Sequence, residues 1–194
     1  MKNIVLVILA LLIVTAGIVY AVQSKHTANK GVSDMDKNVL VAYFSATGTT
    51  KKVAENLAMI TDGYLYEIKP EKPYTNADLN WHDSNSRSSI EMNNPKSRPA
   101  ITTDNLNIES YDTIYLGFPI WWGTAPRLIS TFLEKYNFSN KTIILFATSG
   151  SNGFGETSKH LKPSVSDSAK IVELGILNGN PSVDEIKNRL KNLK

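Results

Sequence analysis

The stretch FSATGTT, residues 44–50, supplies four hydroxyls and one glycine between an apolar run and an amphipathic one, and carries no charge. A tight strand-to-helix turn here would gather backbone N–H groups that have no intrahelical partner, and the helix dipole would add partial positive charge. Ser45, Thr47, Thr49 and Thr50 contribute hydroxyl donors; Ala46 and Gly48 lie between them, and the glycine lets backbone approach closely. The chemistry this favours is a phosphate cradle of neutral donors. The dipole alone is worth about 0.3–1 kcal/mol, so convergent hydrogen bonds to a charged acceptor, roughly 1.5–3 kcal/mol each, must supply the rest. No G-x-x-x-x-G-K-[ST] is present, and Thr49 and Thr50 stand where G-x-G-x-x-G would need glycine. A monophosphate therefore fits better than a triphosphate. The competing reading is a helix whose first turn is capped by serine or threonine.

Two further loops have unusual compositions. In FPIWWGTAP, residues 118–126, Pro119, Ile120, Trp121, Trp122 and Gly123 form an apolar surface on which a planar heterocycle could stack. Adjacent side chains point different ways, so one tryptophan is expected to be buried and the other to face the ligand, with Trp122 the better candidate for stacking. In TSGSNGFGET, residues 148–157, Ser149, Gly150, Ser151, Asn152, Gly153 and Gly155 leave backbone groups free to bond a heterocycle edge, and Phe154 is available to cover it. A flexible surface loop is the alternative.

The elements that would position these loops alternate. Apolar runs at 39–44, 64–68, 113–118, 142–147 and 171–177 are mostly continuous and rich in β-branched and aromatic residues, as in strands covered on both faces of a parallel sheet. Helical stripes separate them. One begins at Thr50 and can be ended by Gly63; a second is opened by Pro126. A short piece at 156–162 stops before Pro163, and the last helix has capping-box spacing between Ser182 and Glu185, with Val183, Ile186, Leu190 and Leu193 as its stripe. The polar stretch 70–110 should hold a crossover helix within residues 76–91. Such alternation predicts a doubly wound α/β sheet, whose ligands bind at the carboxyl ends of strands where the strand order reverses. The three loops fall at those ends.

No residue is expected to act as acid, base or nucleophile. His26, His82 and His160 are scattered, no G-x-S-x-G follows a strand, and cysteine is absent, which rules out disulfides and thiolate chemistry. No metal-ligand spacing is present. Segment 73–100, with Trp81, Arg87 and Arg98, could line a second pocket beside a bound ring; the simpler expectation is an ordinary surface excursion.

The chain opens with nineteen uncharged residues, Ile4 to Val22, enough to span a bilayer as a helix. The segment reads as a signal anchor or, if cut after Val19-Tyr20-Ala21, a signal peptide. The expected organisation is a membrane segment at 1–22, a polar linker at 23–37 and a globular domain at 38–194. Export with the amino terminus inside is expected. Once Lys2, Lys25, Lys30 and Asp34 are set aside, 18 basic and 17 acidic residues remain, so the net charge of +3 is largely an N-terminal effect. It gives no support for a nucleic-acid partner.

The turn S-A-T-G-T-T after V-L-V-A-Y-F resembles the [ST]-x-T-G-x-T signature of flavodoxins. R-P-A-I (98–101), F-P-I-W-W-G-T-A-P and S-G-S-N-G-F-G resemble a flavodoxin-like subgroup of small bacterial proteins. The resemblance covers the domain from Val39 onward and implies a five-stranded parallel sheet of order 2-1-3-4-5. It further implies FMN, with Ser45 to Thr50 on its phosphate, and 119–123 and 149–155 flanking the isoalloxazine. The Trp122–Gly123 peptide is then the candidate to rotate toward flavin N5, glycine lowering the steric barrier. The implied activity is electron transfer with a redox partner protein, or reduction of a quinone or other small acceptor. A non-catalytic phosphate-ligand binding module is the reading from a different class. Electron-carrier flavodoxins are typically acidic around the flavin; the scarcity of acids in these loops implies a higher potential.

Overall fold

The computed structural model describes residues 38–179 and 181–193. The expected membrane segment and linker lie outside the described residues. Strands β1 (Val39–Tyr43), β2 (Tyr64–Glu67), β3 (Thr113–Pro119), β4 (Thr142–Thr148) and β5 (Lys170–Ile176) form one parallel sheet of order β2-β1-β3-β4-β5. The order reverses between β1 and β3, where Val39 pairs Thr113 and Tyr43 pairs Gly117. That is the switch point the alternation predicts.

Side chains alternate along each strand and so build a core on both faces. Leu40, Ala42, Ile114, Leu116, Phe118, Ile143 and Leu145 point to one side, against helix α3 (Arg127–Lys135) through Leu128, Ile129, Phe132 and Leu133. Val41, Tyr43, Tyr115, Ile144 and Phe146 point to the other. There they meet Val53, Ala54 and Leu57 of α1 (Thr49–Thr61) and Ile186 of α5 (Val183–Lys191). The double cover holds for the central strands only; β2 and β5 are edge strands and partly exposed. Burial pushes the Tyr43 hydroxyl up to about 12, with Glu67 adding to the effect.

Several local expectations are corrected. Asp62, at φ 52, takes the left-handed cap of α1, and Gly63 follows it. Pro126 is the N-cap residue of α3 and does not enter the helix. Val183 is 39 % exposed and leaves the stripe of α5, whose buried member is Ile186. The crossover helix α2 (Arg87–Asn93) is short and begins late. Residues 75–86 instead form hydrogen-bonded turns, because Thr75, Asp78, Asn80 and Asp83 satisfy backbone groups with their own side chains. The short helix expected at 156–162 is α4 (Thr157–Leu161).

Candidate functional site

The loops after β1, β3 and β4 converge on one cleft of about 590 Å³. Its lining includes Ser45, Ala46, Thr47, Thr49, Thr50, Pro119, Ile120, Trp121, Trp122, Ser149, Gly150, Ser151 and Asn152. Thirteen of the expected site residues are thus brought together. The volume lies within the range typical of ligand pockets, roughly 300–1,000 Å³.

At the first loop, Gly48 adopts φ 85 and is the N-cap residue of α1, with no side-chain cap. This decides against simple capping by the hydroxyls. Ser86 and Ser182, by contrast, do cap their helices, accepting from Ser89 N–H and Glu185 N–H. Ser45 Oγ is buried with no hydrogen-bond partner. A buried hydroxyl without a partner costs about 1–3 kcal/mol, so its position beside an uncapped helix start marks a place for an acceptor. Thr50 Oγ1 lies 2.8 Å from Thr148 Oγ1 and ties α1 to the end of β4. If Thr148 donates in that pair, Thr50 keeps its own proton for a ligand.

The second loop is a closed two-residue turn. Trp121 N–H donates to Thr124 O at 2.8 Å, and Thr124 N–H donates to Trp121 O at 3.0 Å. Trp122 at φ 48 and Gly123 at φ 77 make it type I′. A left-handed tryptophan costs about 1–2 kcal/mol, and the arrangement leaves its side chain 44 % exposed over the cleft. Trp121 is packed edge-on against Phe44 (5.7 Å) and Tyr74 (5.3 Å). The division between one packed and one presented tryptophan follows the expectation from their adjacency. The expected peptide rotation meets a steric cost in this turn. Turning over the Trp122–Gly123 peptide would convert type I′ to type II′, which places the glycine requirement on Trp122. Gly123 is on the wrong side of that peptide to lower the barrier.

The third loop divides. Ser149 N–H donates to Asn178 Oδ1 (2.8 Å), and Asn178 Nδ2 donates back to Ser149 O (2.7 Å), which fixes the cleft edge. Phe154 does not cover the cleft; it lies against Phe118 at 6.1 Å and packs on the core. Thr157 holds that turn by donating from N–H and Oγ1 to Phe154 O. Gly155 backs the turn instead of the cleft, since a Cβ there would come 2.9 Å from Gly123 O. Gly153 is exposed and also outside the lining.

Leu79, Trp81, Ser88, Thr148 and Asn178 line the cleft as well and were not among the expected site residues. Leu79, Trp81 and Ser88 come from the stretch expected to be an ordinary surface excursion. Of the three residues that could have lined a pocket there, only Trp81 does. Arg98 is held by Glu134 through two bonds of 2.8 Å. Arg87 donates to Glu91 Oε1 (2.6 Å) and lies 4.0 Å over the Tyr74 ring. Tyr74 Oη donates to Glu91 Oε2 (2.5 Å), and burial together with that bond holds the phenol well above its usual range. His160 Nδ1 sits 3.1 Å from Thr124 Oγ1, outside the cleft lining.

A family model described as Flavodoxin matches residues 38–193. The chain belongs to the flavodoxin family. It is similar to two proteins provisionally named as flavoproteins. One, from Bacteroides eggerthii DSM 20697, has 45 % identity and a TM-score of 0.73, with 80 % of this chain and 97 % of that one covered. The other, from Bacteroides uniformis ATCC 8492, has 48 % identity and a TM-score of 0.73, with 80 % and 98 % covered. A flavoprotein from Lactobacillus acidophilus NCFM, solved in complex with FMN, is 27 % identical with a TM-score of 0.57, covering 73 % and 92 %. No curated protein matches the chain. The five-stranded order and the uncharged turn at 45–50 are therefore those of a flavodoxin family member.

Proposed function

We propose that this flavodoxin family member is an FMN-binding redox protein that transfers electrons through a non-covalently held flavin at a membrane surface. The observation that carries the reading is the uncapped start of α1 beside the partnerless, buried Ser45 Oγ. Ser45, Thr47, Thr49, Thr50 and the first N–H groups of α1 are a complement to a monophosphate dianion, and none of them brings a competing charge. Trp122 offers its exposed indole to the ring, and Trp121 supports that wall from behind. Ser149 to Asn152 supply polar groups to the ring edge. When bound, FMN supplies one- and two-electron chemistry, and the protein controls its potential and exposure.

The membrane part of the reading is supported by the nineteen uncharged residues from Ile4 to Val22, with the domain placed outside the cytoplasm. Among the described residues no helix is long and apolar enough to cross a membrane. The test is a titration of the purified full-length protein with FMN, followed by anaerobic reduction, alongside fractionation of expressing cells. Stoichiometric uptake with an altered spectrum and reversible bleaching is expected, with the protein in the carbonate-washed membrane fraction. No uptake at micromolar FMN would leave a phosphate-ligand binding module in place of a redox protein. Recovery in the soluble fraction would remove the tether.

A further inference from the structure

The cleft extends past the three loops to a wall they do not supply. Trp81 is 66 % exposed and Trp122 44 %, and both of these large exposed side chains line the same cleft. Trp81 covers no core. One side of its indole lies against His82, with ring centroids 3.4 Å apart. The segment that carries it is held firmly. Thr75 N–H and Oγ1 both donate to Asp78 Oδ2 at 2.8 Å, and Leu79 N–H donates to Thr75 O at 3.1 Å. Ser88 N–H donates to Asp78 O at 3.0 Å. Its two ends are anchored by the Arg87–Glu91–Tyr74 cluster, which packs on Trp121. A large apolar side chain fixed at a cleft wall and left open to solvent is placed to stack on something that enters the cleft.

Resting on the reading of the cleft as a flavin site, we propose that Trp81, with Leu79 and Ser88, forms the binding surface for the electron acceptor. The acceptor is a small, uncharged, planar aromatic of the quinone class. Among the described residues no charged side chain lines the cleft, and its one cradle of neutral phosphate donors is given to the flavin, so a dinucleotide or a phosphorylated acceptor would find neither a cation nor a second cradle there. A redox protein drawn by complementary charge would find none inside the cleft either. An aromatic plane gains from the indole, and Ser88, buried with its Oγ 3.4 Å from Ser86 Oγ, backs that wall. In the step, a quinone takes two electrons and two protons and its two carbonyls become hydroxyls. The anionic reduced flavin gives up those two electrons and one proton, and solvent supplies the second proton; an external reduced redox protein restores the electrons, and solvent the flavin's proton.

The test uses FMN-loaded full-length protein and 2-methyl-1,4-naphthoquinone. Equilibrium binding is read from the perturbed absorbance of the oxidised protein, and half-saturation from reoxidation after photoreduction. Trp81→Ala should raise both constants at least fivefold, Trp81→Phe should stay within twofold, and the Kd for FMN should be the same in all three proteins. Met59→Ala, at an exposed residue of α1 outside the cleft, serves as the control and should change nothing. Unchanged quinone constants in Trp81→Ala would make Trp81 a surface residue and overturn the proposal. A parallel loss of FMN affinity would overturn it too, by placing Trp81 on the flavin. A wild-type protein that takes up no FMN overturns the cofactor reading as well, and this is seen before any quinone is added.

Discussion

Ser45 and Glu134 show how a single polar atom can be read from its partners. Ser45 Oγ is buried without one. Ser45→Ala should therefore weaken FMN binding about tenfold, equivalent to roughly 1.4 kcal/mol and close to one hydrogen bond to a charged acceptor. It should leave the melting temperature of the flavin-free protein unchanged or slightly raised, since the orphan is removed with the hydroxyl. A flavin titration and a thermal melt on the same variant separate this from a structural role, which would lower both. Glu134 is the opposite case. Its carboxylate accepts from Arg98 and from Ser164 Oγ (2.9 Å), and these bonds, the Arg98 one foremost, hold it below the usual value of 4.5. A depressed carboxylate stabilises the fold at neutral pH, and that contribution is lost as the pH falls through the lowered value. Both partners are partly exposed, so the effect is small. Glu134→Gln should lower stability at pH 7, and the difference from the native protein should shrink as the pH falls through the acid range, as read by urea melts at a series of pH values.

At the scale of elements, the Trp122–Gly123 turn decides most. Both central residues are left-handed, and the turn is closed by two backbone bonds. Gly123→Ala should destabilise the protein by about 1–2 kcal/mol, measured by urea unfolding. Because rotation of the peptide would put Trp122 where type II′ needs glycine, stepwise reduction of the loaded protein should give only oxidised and fully reduced spectra with one set of isosbestic points. A third spectrum during that titration would mean that the peptide rotates despite Trp122. The turns at 75–86 have the same character. Their backbone is satisfied by Thr75, Asp78, Asn80 and Asp83, so a short segment with little helix can still hold Trp81 in place.

At the scale of the whole domain, charge is kept out of the cleft lining among the described residues. Among the described residues no acidic side chain lines the cleft, so little there opposes the negative charge of a reduced flavin. The midpoint potential should lie above that of carrier flavodoxins with acidic rims. A unit charge roughly 8 Å away, at an effective dielectric of about 40–80, is worth about 0.5–1 kcal/mol. Asn152→Asp should accordingly lower the two-electron midpoint by about 10–20 mV, and an unchanged potential would place Asn152 away from the ring.

The division between what was legible and what was not follows the range of the forces. Strand positions and class were readable, because double-sided burial imposes continuous apolar runs and the crossover rule limits how they connect; the strand order followed from the resemblance to flavodoxins. The turn at 45–50 was readable, since its donors are neighbours in sequence. The tertiary structure alone decided that Gly48 leaves α1 uncapped, that Phe154 turns to Phe118, and that Arg87 and Arg98 are consumed by carboxylates. It alone brought Trp81 to a cleft begun more than thirty residues earlier in the chain. These outcomes depend on partners distant in sequence, whose competition for each side chain is settled only when the elements pack.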